Sequence, residues 1–344
     1  MPALSILPLT GIPEVRSGDD LVALLLEAVA AADLELEDGD VLVVSSKVVS
    51  KSLGLWADST IKGAAVVSQT VRVVAERLAG DRLTQIVRST AGPIMAAAGV
   101  DASNTGGRDD VLLLPADPDA EADHLRVALL AATGLGRLGV VLSDTAGRPW
   151  RFGQTDFALG AAGVTVVDDL RGGVDADGRP LSVTARAVGD ELAAAADLVK
   201  GKADAIPAAV VRGTEWAVSE RGPGARVLIR AGSEDWFDYG RAEAVRASLG
   251  VEPGEDLAEQ VGIPTVGSED EATRLGRAVA VALVGTPDVG IDVGGSAVHV
   301  SSPSAYQLGV AVARLEVALW GEGLTAEVPD EVAGLDLHLE IRDR

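Results

Sequence analysis

The chain has 344 residues and a formal net charge of −23, so it is long enough for two domains and too acidic to favour non-specific binding to nucleic acid or to an anionic membrane. It contains no cysteine and three histidines, which excludes disulfides and thiol nucleophiles and argues against a histidine-rich zinc site. The sequence shows neither an apolar run long enough to span a bilayer nor the basic and apolar regions of a signal peptide. We therefore expect a cytoplasmic protein with no membrane span.

Apolar runs and helical periodicity alternate through the first part of the chain. Strands are predicted at residues 4–9, 41–44, 111–114, 138–142, 164–167 and 207–211. Helices are predicted from an Asp19 or Asp20 cap to residue 32, and at residues 118–133, 157–162 and 184–199. Residues 62–78 carry mixed helical signals, and residues 99–107 form a polar, glycine-punctuated loop.

The composition changes near Tyr239, and this change predicts a domain boundary at residues 240/241. The tail is predicted to hold helices at residues 240–249, 269–284 and 306–320, and strands at residues 289–293, 298–301 and 335–341. The predicted fold class is therefore mixed α/β (α+β), with a main domain at 1–240 and a small α/β extension of unknown role at 241–344.

The segment VVLSDTAGRPWRFGQTD, residues 140–156, places polar side chains directly after a predicted buried strand. Open α/β folds place their ligand chemistry just beyond the carboxyl ends of strands. Asp144 and Thr145 offer hard oxygen ligands of the kind that Mg²⁺ or Mn²⁺ prefers. Arg148 and Arg151 offer planar donors suited to phosphate or carboxylate groups. The segment therefore suggests metal-assisted chemistry on an anionic substrate.

Two further polar clusters can be interpreted in more than one way. Residues 45–51, SSKVVSK, supply hydroxyls and two lysines that suit phosphate binding, or else solvated lysines at a strand end. Asp101 and Asn104 stand in the loop GVDASNTGG and suit a cation and a nucleotide, or else an ordinary turn. Lys200 and Lys202 follow a predicted helix, where they favourably offset the helix dipole. The three histidines show no ligand spacing.

The chain resembles the coenzyme F420-0:L-glutamate ligase family, the gamma-glutamyl ligases of deazaflavin biosynthesis. The matching strings occur in family order: LPLTGIPEVRSGDDL, DGDVLVVSSKVVSK, AAAGVDASN, LLLPADPDA, VVLSDTAGRPWRFGQTDFALGAAGV and DELAAAADLVKGKADAIPAAVVRG. They run from Leu7 to Gly213. The resemblance implies a two-part gamma-glutamyl ligase fold that forms an intertwined homodimer, and GTP-dependent ligation of L-glutamate to coenzyme F420-0.

The resemblance also implies roles for individual residues. GTP would be contacted at Ile12, Pro13, Glu14, Val15, Ser46, Lys51 and Asn104. Of two divalent ions, Mg²⁺ or Mn²⁺, one would be held by Asp101 and Asp144 and the second by Thr145. Chemistry alone nominates Arg148, Arg151 and Lys200 for the phosphate and carboxylates of the substrate.

The implied reaction begins by activating a carboxylate. Transfer of the γ-phosphoryl group of GTP would give an acyl phosphate, which the glutamate amine then attacks; metal ions and cationic side chains would offset the charge of the first step. After SKVVSK the family usually continues with a Glu-Gly-Arg string, whereas this chain has Ser52-Leu53-Gly54-Leu55. Two alternatives are therefore kept: a non-catalytic nucleotide-binding paralogue, and an amide ligase that acts on a different carboxylate acceptor.

Overall fold

A computed structural model describes residues 3–230, 240–265, 267–329 and 334–344. The fold is mixed α/β, as predicted. Its contacts divide the chain into two units, Met1–Val71 with Arg88–Glu234, and Arg72–Val87 with Asp235–Arg344. The second unit thus includes Arg72–Val87, which the predicted boundary at 240/241 assigns to the main domain. Tyr239, where the composition changes, lies outside the described residues.

Short strands and helices follow one another along the described segments. The strands are β1 Ser5–Leu9, β2 Val41–Ser45, β3 Trp56–Asp58, β4 Thr70–Ala79, β5 Arg82–Ser89, β6 Ile94–Ala96, β7 Asp110–Leu112, β8 Gly139–Arg148, β9 Arg151–Ala162, β10 Asp168–Asp169, β11 Ala185–Arg186, β12 Ala208–Arg212, β13 Gly290–Gly294, β14 Ala297–Ser301, β15 Leu324–Ala326 and β16 Asp336–Asp343. The helices are α1 Leu21–Ala31, α2 Ser46–Ser52, α3 Lys62–Ser68, α4 Pro118–Thr133, α5 Val188–Lys200, α6 Arg241–Ser248, α7 Asp256–Val261, α8 Glu271–Leu283 and α9 Ala305–Gly321.

A five-stranded sheet of order β1-β12-β2-β8-β9 organises the first unit. Strands β2 and β8 are parallel, and the other neighbours are antiparallel. Alternate residues of β2 enter different cores: Leu42 and Val44 pack into the core that contains helices α1 and α4, and Val41 and Val43 pack into the core that contains α5. The strand is therefore apolar on both faces, as expected for a sheet covered on both sides.

The parallel pairing of β2 and β8 positions the candidate site. Ser45 and Ser143 are partners in the register, so both strands end side by side. Helix α2 begins immediately after β2, at Ser46, and Asp144 and Thr145 follow Ser143 in the outer half of β8. Two of the polar clusters singled out in the sequence therefore meet at one edge of the sheet.

Three local predictions were wrong. Residues 157–162, predicted as a helix, are the end of strand β9, because their backbone pairs with β8 and helix α4 packs against the strand. Residues 164–167, predicted as a strand, contribute a single bridge between Val164 and Ala217. Residues 45–51 are placed at a strand end by the sequence, but β2 ends at Ser45 and residues 46–52 form helix α2.

The second unit has its own apolar core. Strands β13, β14, β16 and β15 form an antiparallel sheet in that order. One face of β14 and β16 packs Val298, Val300, Leu337 and Leu339 into a core shared with α8 and α9, and the other face is polar. In the described part of the chain, no helix combines the length and apolar character needed to cross a bilayer.

Candidate functional site

A cavity of about 350 Å³ lies in the first unit where strands β2 and β8 end. Nine of the residues predicted to bind a ligand, metal or substrate line it: Ile12, Pro13, Glu14, Val15, Lys51, Asn104, Asp144, Thr145 and Lys200. All five lysines of the chain lie in described segments, and Lys47, Lys51, Lys200 and Lys202 line this cavity. A protein with a net charge of −23 thus concentrates its lysines at one place, which favours an anionic ligand there.

Helix α2 contributes two lysines to the cavity, Lys47 and Lys51, which lie one helical turn apart. Lys51 is buried and forms an ion pair with Glu14, which also lines the cavity. Lys47 forms an ion pair with Asp101 at 2.5 Å and donates a hydrogen bond to the Ser103 hydroxyl at 2.6 Å. The helix therefore joins segment 12–15 and the glycine loop to the edge of the sheet.

Asp101 and its loop are held in a defined conformation. The carboxylate accepts hydrogen bonds from the backbone N–H of Ser103 at 2.7 Å and from the Ser103 hydroxyl at 3.0 Å. Burial by itself raises the pKa of Asp101, but the hydrogen bond from Lys47 and those from Ser103 hold it below its ordinary value. Asp101 is therefore a carboxylate at neutral pH. In the same loop, Asn104 has a left-handed backbone (φ 54°), and its Nδ2 lies 3.5 Å from the carbonyl oxygen of Lys202.

Asp144 is the least compensated carboxylate of the site. Its pKa is raised to about 6, mainly by burial and to a smaller extent by the charges of Asp101 and Asp156, against the opposing effects of the Thr145 backbone N–H and Lys47. A cation placed among these carboxylates would lower that pKa and relieve the repulsion. The donor set, two carboxylates and the Thr145 hydroxyl, is the hard oxygen type that Mg²⁺ and Mn²⁺ accept.

A buried network lies behind these groups. Lys200 Nζ donates to Asp156 Oδ2 at 2.7 Å and to Ser143 Oγ at 2.6 Å, and the Ser143 hydroxyl donates to Asp156 Oδ2 at 2.9 Å. The other oxygen of Asp156 accepts a hydrogen bond from the Thr145 hydroxyl at 2.7 Å. Asp156 therefore orients the hydroxyl of a candidate metal ligand and compensates the charge of Lys200.

Four predicted residues lie outside the lining of the cavity, and one of them is Asp101, whose carboxylate pairs with Lys47. Ser46 is fully buried at the start of α2, and its hydroxyl has no hydrogen-bond partner among the described residues. Arg148 and Arg151 pair across the exposed turn of the β8–β9 hairpin. Their proposed contacts with GTP and substrate stay predictions.

Sequence reasoning gave Lys47 only a possible phosphate-binding role and assigned no role to Ser143 or Asp156. Each lies inside a segment already singled out, so the signal was proximity to Lys51 and Asp144. The partners Lys200 and Asp156 are 44 residues apart, and only the packing of α5 against β9 brings them together.

Comparison with known proteins gives a consistent result. A model of the F420-0:gamma-glutamyl ligase family matches residues 11–213. The protein named coenzyme F420:L-glutamate ligase from Haloarcula marismortui is 36% identical, over 72% of this chain and 97% of the relative. Proteins of the same name from Natronomonas pharaonis and Methanopyrus kandleri are 40% and 39% identical, over 67% and 69% of this chain and 92% and 98% of the relatives.

Proposed function

Because the chain belongs to the F420-0:gamma-glutamyl ligase family, we propose that it joins L-glutamate to coenzyme F420-0 through gamma-glutamyl amide bonds, with GTP as cosubstrate. The match covers the whole of the cavity wall from segment 12–15 to the loop after helix α5. The observation that carries the proposal is the convergence on one cavity of nine predicted residues, two of them lysines, together with the further lysines Lys47 and Lys202.

The lysines suit the first step of the proposed reaction. A carboxylate is a poor electrophile, so the γ-phosphoryl group of GTP passes to a carboxylate oxygen of the acceptor and GDP leaves. Both the attacking and the departing oxygens are anionic, and Lys47, Lys51 and Lys202 line the cavity where cationic donors offset that charge. The glutamate amine then attacks the acyl phosphate, the C–N bond forms and inorganic phosphate leaves.

The residues also fit divalent cations. Asp101 and Asp144 would hold one ion, and Thr145 would hold a second. Asp144 is a largely buried carboxylate whose raised pKa of about 6 would be lowered by a cation beside it. Bound Mg²⁺ or Mn²⁺ supplies charge neutralisation at the transferring phosphoryl group. Asp156 contributes by fixing the direction of the Thr145 hydroxyl.

A ligation assay with Asp144→Asn tests the proposal. Wild-type protein supplied with GTP, Mg²⁺, L-glutamate and F420-0 is expected to release GDP and phosphate and to form glutamylated products resolved by mass spectrometry. Asp144→Asn is expected to lower turnover by at least about a hundredfold, since it removes a charged ligand of the proposed cation that offsets the negative charge of the phosphoryl transfer. Glu27→Gln, which removes a charge on the exposed side of helix α1, serves as the matched control and keeps wild-type turnover.

Three outcomes would contradict the proposal. Folded wild-type protein that binds GTP without turnover is a nucleotide-binding paralogue. Product formed only with another carboxylate acceptor identifies a different amide ligase. Equal turnover by Asp144→Asn and wild type removes Asp144 from the mechanism.

A further inference from the structure

Two of the three histidines of the chain meet on the second unit. His299 lies on β14 and His338 on β16, and they are directly opposed in the antiparallel register. Their rings stack with centroids 4.3 Å apart and an interplanar angle of 23°. Directly opposed residues project to the same face of a sheet, so both imidazoles stand on the polar face, opposite the apolar core.

A carboxylate completes the cluster. Asp336 precedes His338 by two positions on β16 and therefore shares its face; its Oδ2 lies 3.5 Å from Nε2 of His299. The candidate ligand atoms of His299, His338 and Asp336 all lie within 4.8 Å of one another. Bonds of about 2.0–2.1 Å in a tetrahedral site require ligand atoms roughly 3.3 Å apart, a separation that small side-chain rotations at the surface can reach.

The ligand types indicate the class of metal. Imidazole nitrogen suits Zn²⁺, Cu²⁺ and Ni²⁺, whereas Mg²⁺ prefers oxygen ligands. Two imidazoles and one carboxylate from the protein match the three-ligand pattern that leaves a further position for water or another ligand. The cluster therefore differs in chemistry from the carboxylates and hydroxyl of the first unit.

The scaffold favours a defined site. The neighbours of the histidines along the strands are buried: Val298 and Val300 flank His299, and Leu337 and Leu339 flank His338. Both strands are therefore anchored by the core beneath α8 and α9, and sites on such strands are held more precisely than sites on loops. None of the three ligands lines the cavity of the first unit.

We propose that His299, His338 and Asp336 form a binding site for a transition-metal dication, with Zn²⁺ or Cu²⁺ as the fitting ions, separate from the ligase site. A bound ion links β14 to β16 and thus stabilises the sheet of the second unit, since a ligand that binds only the folded chain raises its melting temperature.

Titration calorimetry with ZnCl₂ on tag-free full-length protein tests this site, with Mg²⁺ in excess to occupy the oxygen-ligand site. Wild-type protein is expected to bind one Zn²⁺ per chain. His299→Ala and His338→Ala are each expected to weaken this binding by at least about tenfold, because each removes a ligand. His124→Ala is the matched control: His124 is the remaining histidine, is exposed on helix α4, and its substitution leaves Zn²⁺ affinity unchanged.

A spectroscopic measurement separates ligand loss from general destabilisation. Electron paramagnetic resonance of the Cu²⁺ complex is expected to show coupling to two nitrogens in wild type and in His124→Ala, and to one nitrogen in either other variant. Ligation activity is expected to remain at the wild-type level in all three variants, so failure of the metal site is distinguishable from failure of the proposed ligase function. Wild-type protein without a Zn²⁺ site, or equal affinity in His299→Ala, His338→Ala and His124→Ala, would overturn the assignment.

Discussion

Lys200 and Asp156 form an ion pair that is buried on both sides, with side chains only 4% and 5% exposed. Burial by itself raises the pKa of Asp156, and the charge and hydrogen bond of Lys200 bring it below its ordinary value. Asp156 therefore stays ionised while it accepts a hydrogen bond from the Thr145 hydroxyl. The pair keeps charged groups in place next to a cavity proposed to bind anions and cations.

Lys200→Met is expected to lower the free energy of unfolding by about 3–5 kcal/mol, because it leaves the Asp156 carboxylate buried without a counter-charge. Lys202→Met is the control, since Lys202 is exposed and lies 3.4 Å from the Thr145 hydroxyl. Urea titration monitored by circular dichroism measures both. Equal losses in the two variants would show that the Lys200–Asp156 pair adds nothing to stability.

At the scale of elements, the β8–β9 hairpin places the site. Its register shifts between Leu142 and Ser143, where Leu142 pairs with Gly160 and Ser143 with Ala158. Beyond this bulge Thr145 pairs with Asp156, so the bulge sets which residues face each other at the end of the sheet. Helix α4 packs across the same part of β9.

Gly160→Ala is expected to destabilise the protein by about 1–3 kcal/mol, because a Cβ at this position would overlap the backbone of Pro118 at the start of α4. Gly147→Ala in the same hairpin is the matched control; its Cβ would meet no atom within 4 Å. The change expected there is within about 0.5 kcal/mol. Chemical denaturation compares the two, and a Gly160→Ala variant as stable as Gly147→Ala would contradict the packing argument.

At the scale of the whole molecule, two units each contain a core. In the second unit Arg277 lies between two carboxylates, bonded to Glu269 at 2.6 Å and to Glu322 at 2.7 Å. The side chains of Arg277 and Glu322 are only 7% and 6% exposed. The second unit thus contains a buried ionic cluster of Arg277, Glu269 and Glu322. The intertwined homodimer implied by the family resemblance and the cytoplasmic location expected from the composition stay predictions.

Arg277→Met is expected to lower the stability of the second unit by about 3–5 kcal/mol, since Glu322 would be left buried without its partner. Arg342→Met is the control, because the Arg342–Glu327 pair is 63% and 81% exposed and such pairs contribute about 0–1 kcal/mol. Hydrogen exchange of peptides from α8 and α9 locates the effect. Equally fast exchange in Arg277→Met and Arg342→Met would contradict a stabilising role of the buried Arg277 cluster.

The same cluster predicts a dependence on pH. Hydrogen bonds from Arg277 hold the pKa of Glu269 below its ordinary value. The stability that Glu269 contributes is therefore present above the pKa of about 4.3 in the unfolded chain, and it is lost as the pH falls through the lower pKa of the folded chain. The difference in unfolding free energy between wild type and Arg277→Met should narrow in this acidic range. A difference in unfolding free energy that does not change with pH in this range would contradict the contribution of the Arg277–Glu269 pair.

Local chemistry made several elements and part of the cavity predictable. Helix α4 begins with the Asp117 cap and Pro118 and ends before Gly134, whose φ of 74° suits glycine. The apolar runs of β2, β8 and β12 indicated strands, because a sheet covered on both sides needs strands that are apolar on both faces. The segments that supply Lys51, Asn104 and Asp144 were evident from polar residues that follow strands or lie in a glycine loop.

The sequence by itself determined the mixed α/β class, the buried strands and the segments that carry the candidate ligands, since these depend on neighbours along the chain. Only the tertiary structure decided that residues 157–162 pair as a strand, that Arg72–Val87 belong to the second unit, and that Lys200 meets Asp156. It also opposed His299 to His338 across two strands. These outcomes depend on contacts between residues far apart in sequence, and no local periodicity or spacing encodes the register that creates them.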